Sequence, residues 1–257
     1  MKLADRLNSG KPSFTAWSGV PDSMTIEIVA NTGFDIVTLD MQHGGHHEDS
    51  VLRGIAPIRA AGRNAIVRVP VGRFDMASRA LDFGAEAIIA PMINTLADAR
   101  LFAASAKYPP VGERSWGPAM AMPRWGASNP QQWLETQNVD TISFAMIETR
   151  AAYGLVDEIL GVPGIDGIFV GPSDFSIAWS NGKTINPSLD DMMTAVSDIG
   201  ERTRKAGKFA AIFAVDPGIC GKFWSMGYQM FALGNEHRYM GLGAQAMISQ
   251  ARGSISH

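Results

Sequence analysis

Cysteine occurs once in the 257 residues, at Cys220, which excludes an intrachain disulfide or thiolate cluster and suits a reducing cytoplasm. No apolar run approaches the roughly 20 residues that span a bilayer. The opening MKLADRLNSGKPSF lacks an apolar stretch of signal-peptide length, so neither secretion nor a membrane partner is expected. Charge of one sign is missing too. The 22 basic and 25 acidic residues are scattered, the net charge is −3, and no Lys/Arg cluster offers a surface to nucleic acid.

Two further absences concern chemistry. The lysines, Lys2, Lys11, Lys107, Lys183, Lys205, Lys208 and Lys222, avoid the ends of the strands proposed below, so a Schiff-base mechanism lacks its nucleophile. Nucleotide-binding signatures also fail on context. GLGAQA at 241–246 lies in the last helical segment rather than after the first strand, and NGKT at 181–184 has no upstream glycine.

What is present is an alternation of short β-rich apolar runs with longer helix-compatible segments. The runs are Ser13–Trp17, Asp35–Met41, Ala65–Val69, Ala87–Met92, Thr141–Ile147, Gly167–Val170, Phe209–Val215 and Gln229–Leu233. IVTL, AIVRV, AIIAPM and FAAIFAV are nearly continuous, as in parallel strands buried on both faces. With 46% hydrophobic residues and no linker-like break, eight βα units predict one (β/α)8 TIM barrel over 1–257, with a doubly wound sheet as the second choice. Helix starts are expected at Asp22-Ser23, at Thr95 with Asp98, and at Ser188 before Asp190 and Asp191. Met192, Met193, Val196 and Ile199 form one apolar helical face. The stretch 107–129, rich in Arg114, Trp116, Arg124 and Trp125, exceeds an ordinary connection and reads as a lid or an oligomer contact.

Barrel enzymes carry their chemistry where strands end, so each exit can be read for reactive groups. Asp40-Met41-Gln42-His43 leaves the second strand, the third carries Arg68 shortly before Pro70, Glu148 ends the fifth, and Gly171-Pro172-Ser173-Asp174 follows the sixth. Glu148 and Asp174 leave adjacent strands and can hold one hard cation, Mg²⁺ or Mn²⁺, with room for water and substrate. Alternatively, Glu148 pairs with Arg150 or caps a helix, and Asp174 caps its own. The Gly171–Asp174 turn offers backbone N–H groups to a carboxylate or phosphate. Arg68, charged within an apolar strand, needs an anion, whether substrate or a structural partner. His43 is read as a base, and His46 and His47 as loop or helix-start residues. Asp82 is either a surface acid or a partner for an imidazole.

Four motifs in order, DMQH at 40–43, VRVPV at 67–71, MIETR at 146–150 and GPSDFS at 171–176, with YPPVGER at 108–114, carry a resemblance over essentially the whole chain. The sequence resembles the HpcH/HpaI family of metal-dependent (class II) pyruvate aldolases. The resemblance implies a barrel of the phosphoenolpyruvate/pyruvate-binding type that reversibly cleaves 4-hydroxy-2-oxo acids to pyruvate or hydroxypyruvate and an aldehyde. It implies a divalent metal (Mg²⁺, Mn²⁺ or Co²⁺) on Glu148 and Asp174 and a His43–Asp82 acid–base dyad. Arg68 would face the keto oxygen, and Trp17, Gly171, Pro172, Ser173 and Asp174 would bind the substrate. It further implies a homo-oligomer, a hexamer built as a trimer of dimers, with the last helix (236–257) exchanged between subunits. Met146 and Gln42 depart from the family pattern, in which Gln and Glu are frequent at these positions. An acyl-CoA lyase like the citrate-lyase β or malyl-CoA group, or a non-catalytic keto-acid-binding protein, are the competing readings. The lack of a basic cluster for CoA phosphates disfavours the former, and the presence of both His43 and Asp82 the latter.

Overall fold

The computed structural model describes residues 1–255. Eight parallel strands close in sequence order: β1 (Ser13–Ser18), β2 (Ile36–Asp40), β3 (Asn64–Arg68), β4 (Ala87–Ala90), β5 (Ile142–Ile147), β6 (Gly167–Val170), β7 (Phe209–Phe213) and β8 (Met230–Leu233). All eight expected strands are present, with ends differing by up to two residues, and β8 pairs with β1 to complete the cylinder. The helices are α1 (Leu3–Leu7), α2 (Ser23–Ala30), α3 (Glu48–Ala60), α4 (Asp75–Asp82), α5 (Leu96–Ala106), α6 (Ala121–Arg124) and α7 (Pro130–Asp140). They continue as α8 (Arg150–Gly154), α9 (Val156–Leu160), α10 (Pro172–Trp179), α11 (Asp190–Lys205), α12 (Cys220–Ser225) and α13 (Glu236–Ile255). None is long and apolar enough to cross a membrane.

Strand parity sorts the apolar residues into two cores. Side chains two positions apart share a face of a strand, so Ile36, Ile66, Ile89, Phe144, Phe169 and Met230 fill the cylinder, where Leu3, Ala4 and Leu7 of α1 join them. The alternate residues, Val37, Leu39, Val67, Ile88 and Ile168 among them, pack outward against the helices. Met192, Met193, Val196 and Ile199 of α11 are buried in that outer layer, as their spacing predicts.

Caps set the helix starts. The Asp22 side chain accepts from Thr25 N–H and Thr95 from Asp98 N–H, while His47 and Ser50 form a reciprocal capping box on α3. Ser188 is a correction. Leu189 occupies the cap position of α11 without a side-chain bond, and the Ser188 N–H instead donates to Asn186 in a local turn.

The 107–129 stretch corrects a second expectation. It holds α6 and lies against the outer helices, where the Arg124 guanidinium donates to the carbonyls of Phe83 and Leu52 and the Trp125 indole to that of Gly84. It therefore forms no lid over this chain's own barrel mouth.

Candidate active site

The parity that fills the barrel also builds its mouth. The same inward parity, followed toward the strand ends, includes Trp17 on β1 and brings Asp40, Arg68, Glu148 and Gly171 to the C-terminal rim. Asp40 and Arg68 are register partners on β2 and β3. Arg68 donates Nε to Asp40 Oδ1 at 2.9 Å and Nη2 to Oδ2 at 2.7 Å, a buried bidentate pair. The Trp17 indole N–H donates to Asp40 Oδ2 at 3.1 Å, and the Arg68 guanidinium lies 4.9 Å from the Trp17 ring. Backbone N–H groups of Gln42, His43 and Gly44 complete the ring of donors around Asp40. Burial alone would raise the Asp40 carboxyl. The bonds and charge of Arg68, with the Gln42 and Trp17 donors, outweigh it and hold the group below the usual carboxylate range.

Arg68 thus has its anion within the chain, yet Nη1 takes no hydrogen-bond acceptor among the described residues and Arg68 lines the mouth. Asp40 was legible only as part of a motif. An acid and an arginine that each end a buried apolar strand were the available signal, but the register that joins them is not written in either strand.

Glu148 continues β5 beyond Met146 and is buried. Its Oε2 accepts from Met92 N–H at 2.9 Å, and Met92 holds a left-handed φ of 54° at the exit of β4. Met92 is a second residue that strand patterning missed. Glu148 neither pairs with Arg150, which donates to the Trp179 carbonyl, nor caps α8, whose cap is Thr149. Burial, and secondarily the charge of Asp174, push the Glu148 carboxyl up to about 7 against the pull of Met92 N–H and Arg68.

Position 171 explains the open space beside it. A Cβ there would stand 2.5 Å from Glu148 Oε1 and 2.7 Å from Met146 Cε, so only glycine leaves that oxygen clear. Asp174 lies in the first turn of α10, exposed, and Gly171 supplies no side-chain cap. The Ser173 and Asp174 N–H groups thus lie in the uncapped first turn, where a helix leaves donors for an anion.

His43, Arg68, Met146, Glu148, Gly171, Ser173 and Asp174 line one cavity of about 180 Å³. A wider one of about 430 Å³ shares His43 and Arg68 and extends past Trp17 to Asn235 and His237. Asp82 is in neither. It closes α4, and its carboxylate turns to Arg114 Nη2 at 2.7 Å, away from the mouth. No hydrogen bond joins His43 to Asp82 among the described residues.

Residues 14–240 match the family model described as HpcH/HpaI aldolase/citrate lyase. The chain belongs to this family. It is 32% identical over 245 residues to a hydroxypyruvate/pyruvate aldolase of Rhizorhabdus wittichii, covering 95% of this chain and 96% of that one. It is 29% identical over 247 residues to a 4-hydroxy-2-oxo-heptane-1,7-dioate aldolase of Klebsiella pneumoniae, covering 96% and 92%. In fold it is similar to an HpcH/HpaI aldolase from Desulfitobacterium hafniense, with a TM-score of 0.88 at 23% identity over 98% of this chain and 97% of that one. With aldolases named at this likeness over nearly its whole length, this family member is an enzyme.

The donor set of this HpcH/HpaI protein fits a hard divalent cation. Glu148 Oε1 has no hydrogen-bond donor among the described residues, Gly171 keeps it clear, and the Asp174 charge adds to the electrostatic cost of ionising a buried carboxylate. A cation offsets that cost. No group of three or more His, Cys, Asp or Glu gathers among the described residues, so two carboxylates leave the remaining positions to water and substrate.

Beside the mouth, His46 is buried between Ser18 Oγ (3.0 Å from Nε2) and Ser50 Oγ (3.1 Å from Nδ1). Burial pushes its imidazole down to about 4, against the pull of Glu236 and Asp40. Above the ordinary value of 6.5 it is neutral whether folded or unfolded, and between 6.5 and about 4 only the unfolded chain takes the proton. Its share of stability is thus lost as pH falls through that window, at up to about 1.4 kcal/mol per pH unit and roughly 3 kcal/mol in all. Urea midpoints at pH 7.5 and 4.5 should fall further for the wild type than for His46→Gln. Equal falls would remove His46 as a source of acid lability.

Proposed function

We propose that this protein is a metal-dependent aldolase that reversibly cleaves 4-hydroxy-2-oxo acids to pyruvate or hydroxypyruvate and an aldehyde. The observation that carries this reading is that Arg68, whose Nη1 has no acceptor among the described residues, lines the same cavity as Glu148, Asp174 and His43. Glu148 and Asp174 would hold Mg²⁺, Mn²⁺ or Co²⁺, which when bound supplies Lewis-acid polarisation of a keto carbonyl.

The chain's own groups do the rest. The N–H groups of Ser173 and Asp174 receive the substrate carboxylate, with Gly171 and Pro172 shaping the turn. Arg68, fixed by Asp40 and Trp17, aims Nη1 at the keto oxygen and so favours the negative charge that grows there as the carbon–carbon bond breaks. His43 accepts the proton of the 4-hydroxyl as the aldehyde leaves and returns it in the synthetic direction. In this reading Trp17 acts on the substrate through Arg68, because its indole N–H is taken by Asp40.

Asp82 faces outward on its own chain, so a dyad with His43 requires Asp82 of the partner subunit. We infer a homo-oligomer on that ground, and the exposed apolar residues Met240, Leu242, Met247 and Ile248 of α13 support exchange of the last helix in a trimer of dimers. Residues 256–257 of the exchanged segment lie outside the described ones. The lone Cys220, a free thiol, fits a reducing cytoplasm.

Consumption of hydroxypyruvate or pyruvate that depends on an added aldehyde, such as glycolaldehyde, tests the reading. Activity should disappear with excess EDTA and return with Mn²⁺ or Mg²⁺. Full activity in EDTA would refute the metal-dependent reaction.

A further inference from the structure

Arg114 is buried, and its hydrogen bonding is lopsided. Nη2 donates to Asp82 Oδ1 at 2.7 Å, whereas Nε and Nη1 are buried without any acceptor. The guanidinium also lies 4.6 Å from the Tyr108 ring. Were Arg114 there only for stability, leaving two of its three nitrogens unmet would be an expensive design, because buried unsatisfied donors cost free energy. What the arrangement does secure is the place of the Asp82 carboxylate. Burial raises that carboxyl, and the bond and charge of Arg114 oppose the rise.

The other oxygen of Asp82 is treated differently. Oδ2 has no hydrogen-bond donor among the described residues, and it faces Gly117, where a Cβ would stand 2.8 Å away. On either side of Gly117 in the sequence the chain exposes large apolar side chains, Trp116 at 48% and Met120 at 49%. Exposed apolar side chains on the segment that meets an undonated carboxylate oxygen suit a protein surface bearing an N–H donor.

We propose that Arg114 and Gly117 are positioning residues that present Asp82 to the active site of a second copy of this chain, Arg114 clamping Oδ1 and Gly117 keeping Oδ2 open for the imidazole of His43. This rests on the reading above that the partner subunit completes the dyad. It adds the residues that aim the carboxylate and the surface, residues 114–120, that docks.

The test uses hybrid oligomers. Arg114→Ala should lower kcat by about a hundredfold, the scale of a misplaced catalytic group, with KM for the keto acid unchanged, and Arg114→Lys should restore part of the loss. Co-produced subunits bearing His43→Ala and Arg114→Ala, carrying different tags and isolated as hybrids, should recover turnover well above either parent. In such a hybrid one site combines an intact His43 with an Asp82 clamped by an intact Arg114. A His43→Ala and Asp82→Ala hybrid is the control. If the control stays inactive, the partner-supplied Asp82 fails and the role of Arg114 with it; if only the control recovers, Arg114 alone is wrong. Gly117→Ala removes no contact and guards against a folding defect in Arg114→Ala. It should reduce kcat at an unchanged melting temperature, and wild-type turnover would overturn the requirement for an open Oδ2.

Discussion

Replacing Glu148 with Gln is expected to reduce turnover roughly a thousandfold or more, since polarisation by a bound cation is worth several kcal/mol and each 1.4 kcal/mol is a factor of ten in rate. The substitution keeps the shape of the side chain and leaves an oxygen for Met92 N–H, so the barrel should stand. What it removes is the negative charge that Gly171 leaves exposed to the cavity. A second readout separates loss of metal from loss of chemistry. Mn²⁺ should raise the melting temperature of the wild type, because a ligand that binds only the folded state stabilises it. It should leave that of Glu148→Gln unmoved. A variant that binds Mn²⁺ as the wild type does would move the cation elsewhere.

The second large effect lies at the Asp40–Arg68 pair. Arg68→Ala leaves a buried carboxylate with its main counter-charge gone, which in such settings costs about 3–5 kcal/mol. It should also cut turnover by two to three orders of magnitude, as loss of one preorganised donor does, on the order of 10²–10³. The two losses can be pulled apart. The double variant Asp40→Asn with Arg68→Met has no stranded charge, so its urea midpoint should recover toward the wild type while its activity stays lost. If the double variant is no more stable than Arg68→Ala alone, the pair is not the source of the instability. If Arg68→Ala turns over normally, Arg68 has no part in the reaction.

How much of this was legible beforehand depends on which physical rule carries the information. The eight strands were visible because a strand buried on both faces must be apolar throughout, and AIVRV or FAAIFAV leave little alternative. The rim residues were visible because functional groups in a barrel follow the strands, which puts His43, Arg68, Glu148 and Asp174 around one opening. Two things were hidden. Asp40 as the partner of Arg68 depends on the β2–β3 register, a relation between strands 28 residues apart in sequence. The outward turn of Asp82 depends on where the 107–129 stretch folds back, and loop paths leave no periodic trace. Ser188 failed for a local reason, since its neighbour Leu189 takes the cap position and Asn186 captures the serine backbone.

Glu236, buried in the first turn of α13, accepts from Gly19 N–H at 2.9 Å, while Gly45 N–H donates to the Gly19 carbonyl at 2.8 Å and Tyr239 bonds both the Leu233 carbonyl and Trp17 N–H. The segments following the first, second and eighth strands are thereby riveted into a single rigid jaw. Any accommodation of bulkier or longer aldehydes must come from the opposing side of the opening, and mutational libraries aimed at widening the acceptor range belong there rather than on the riveted half.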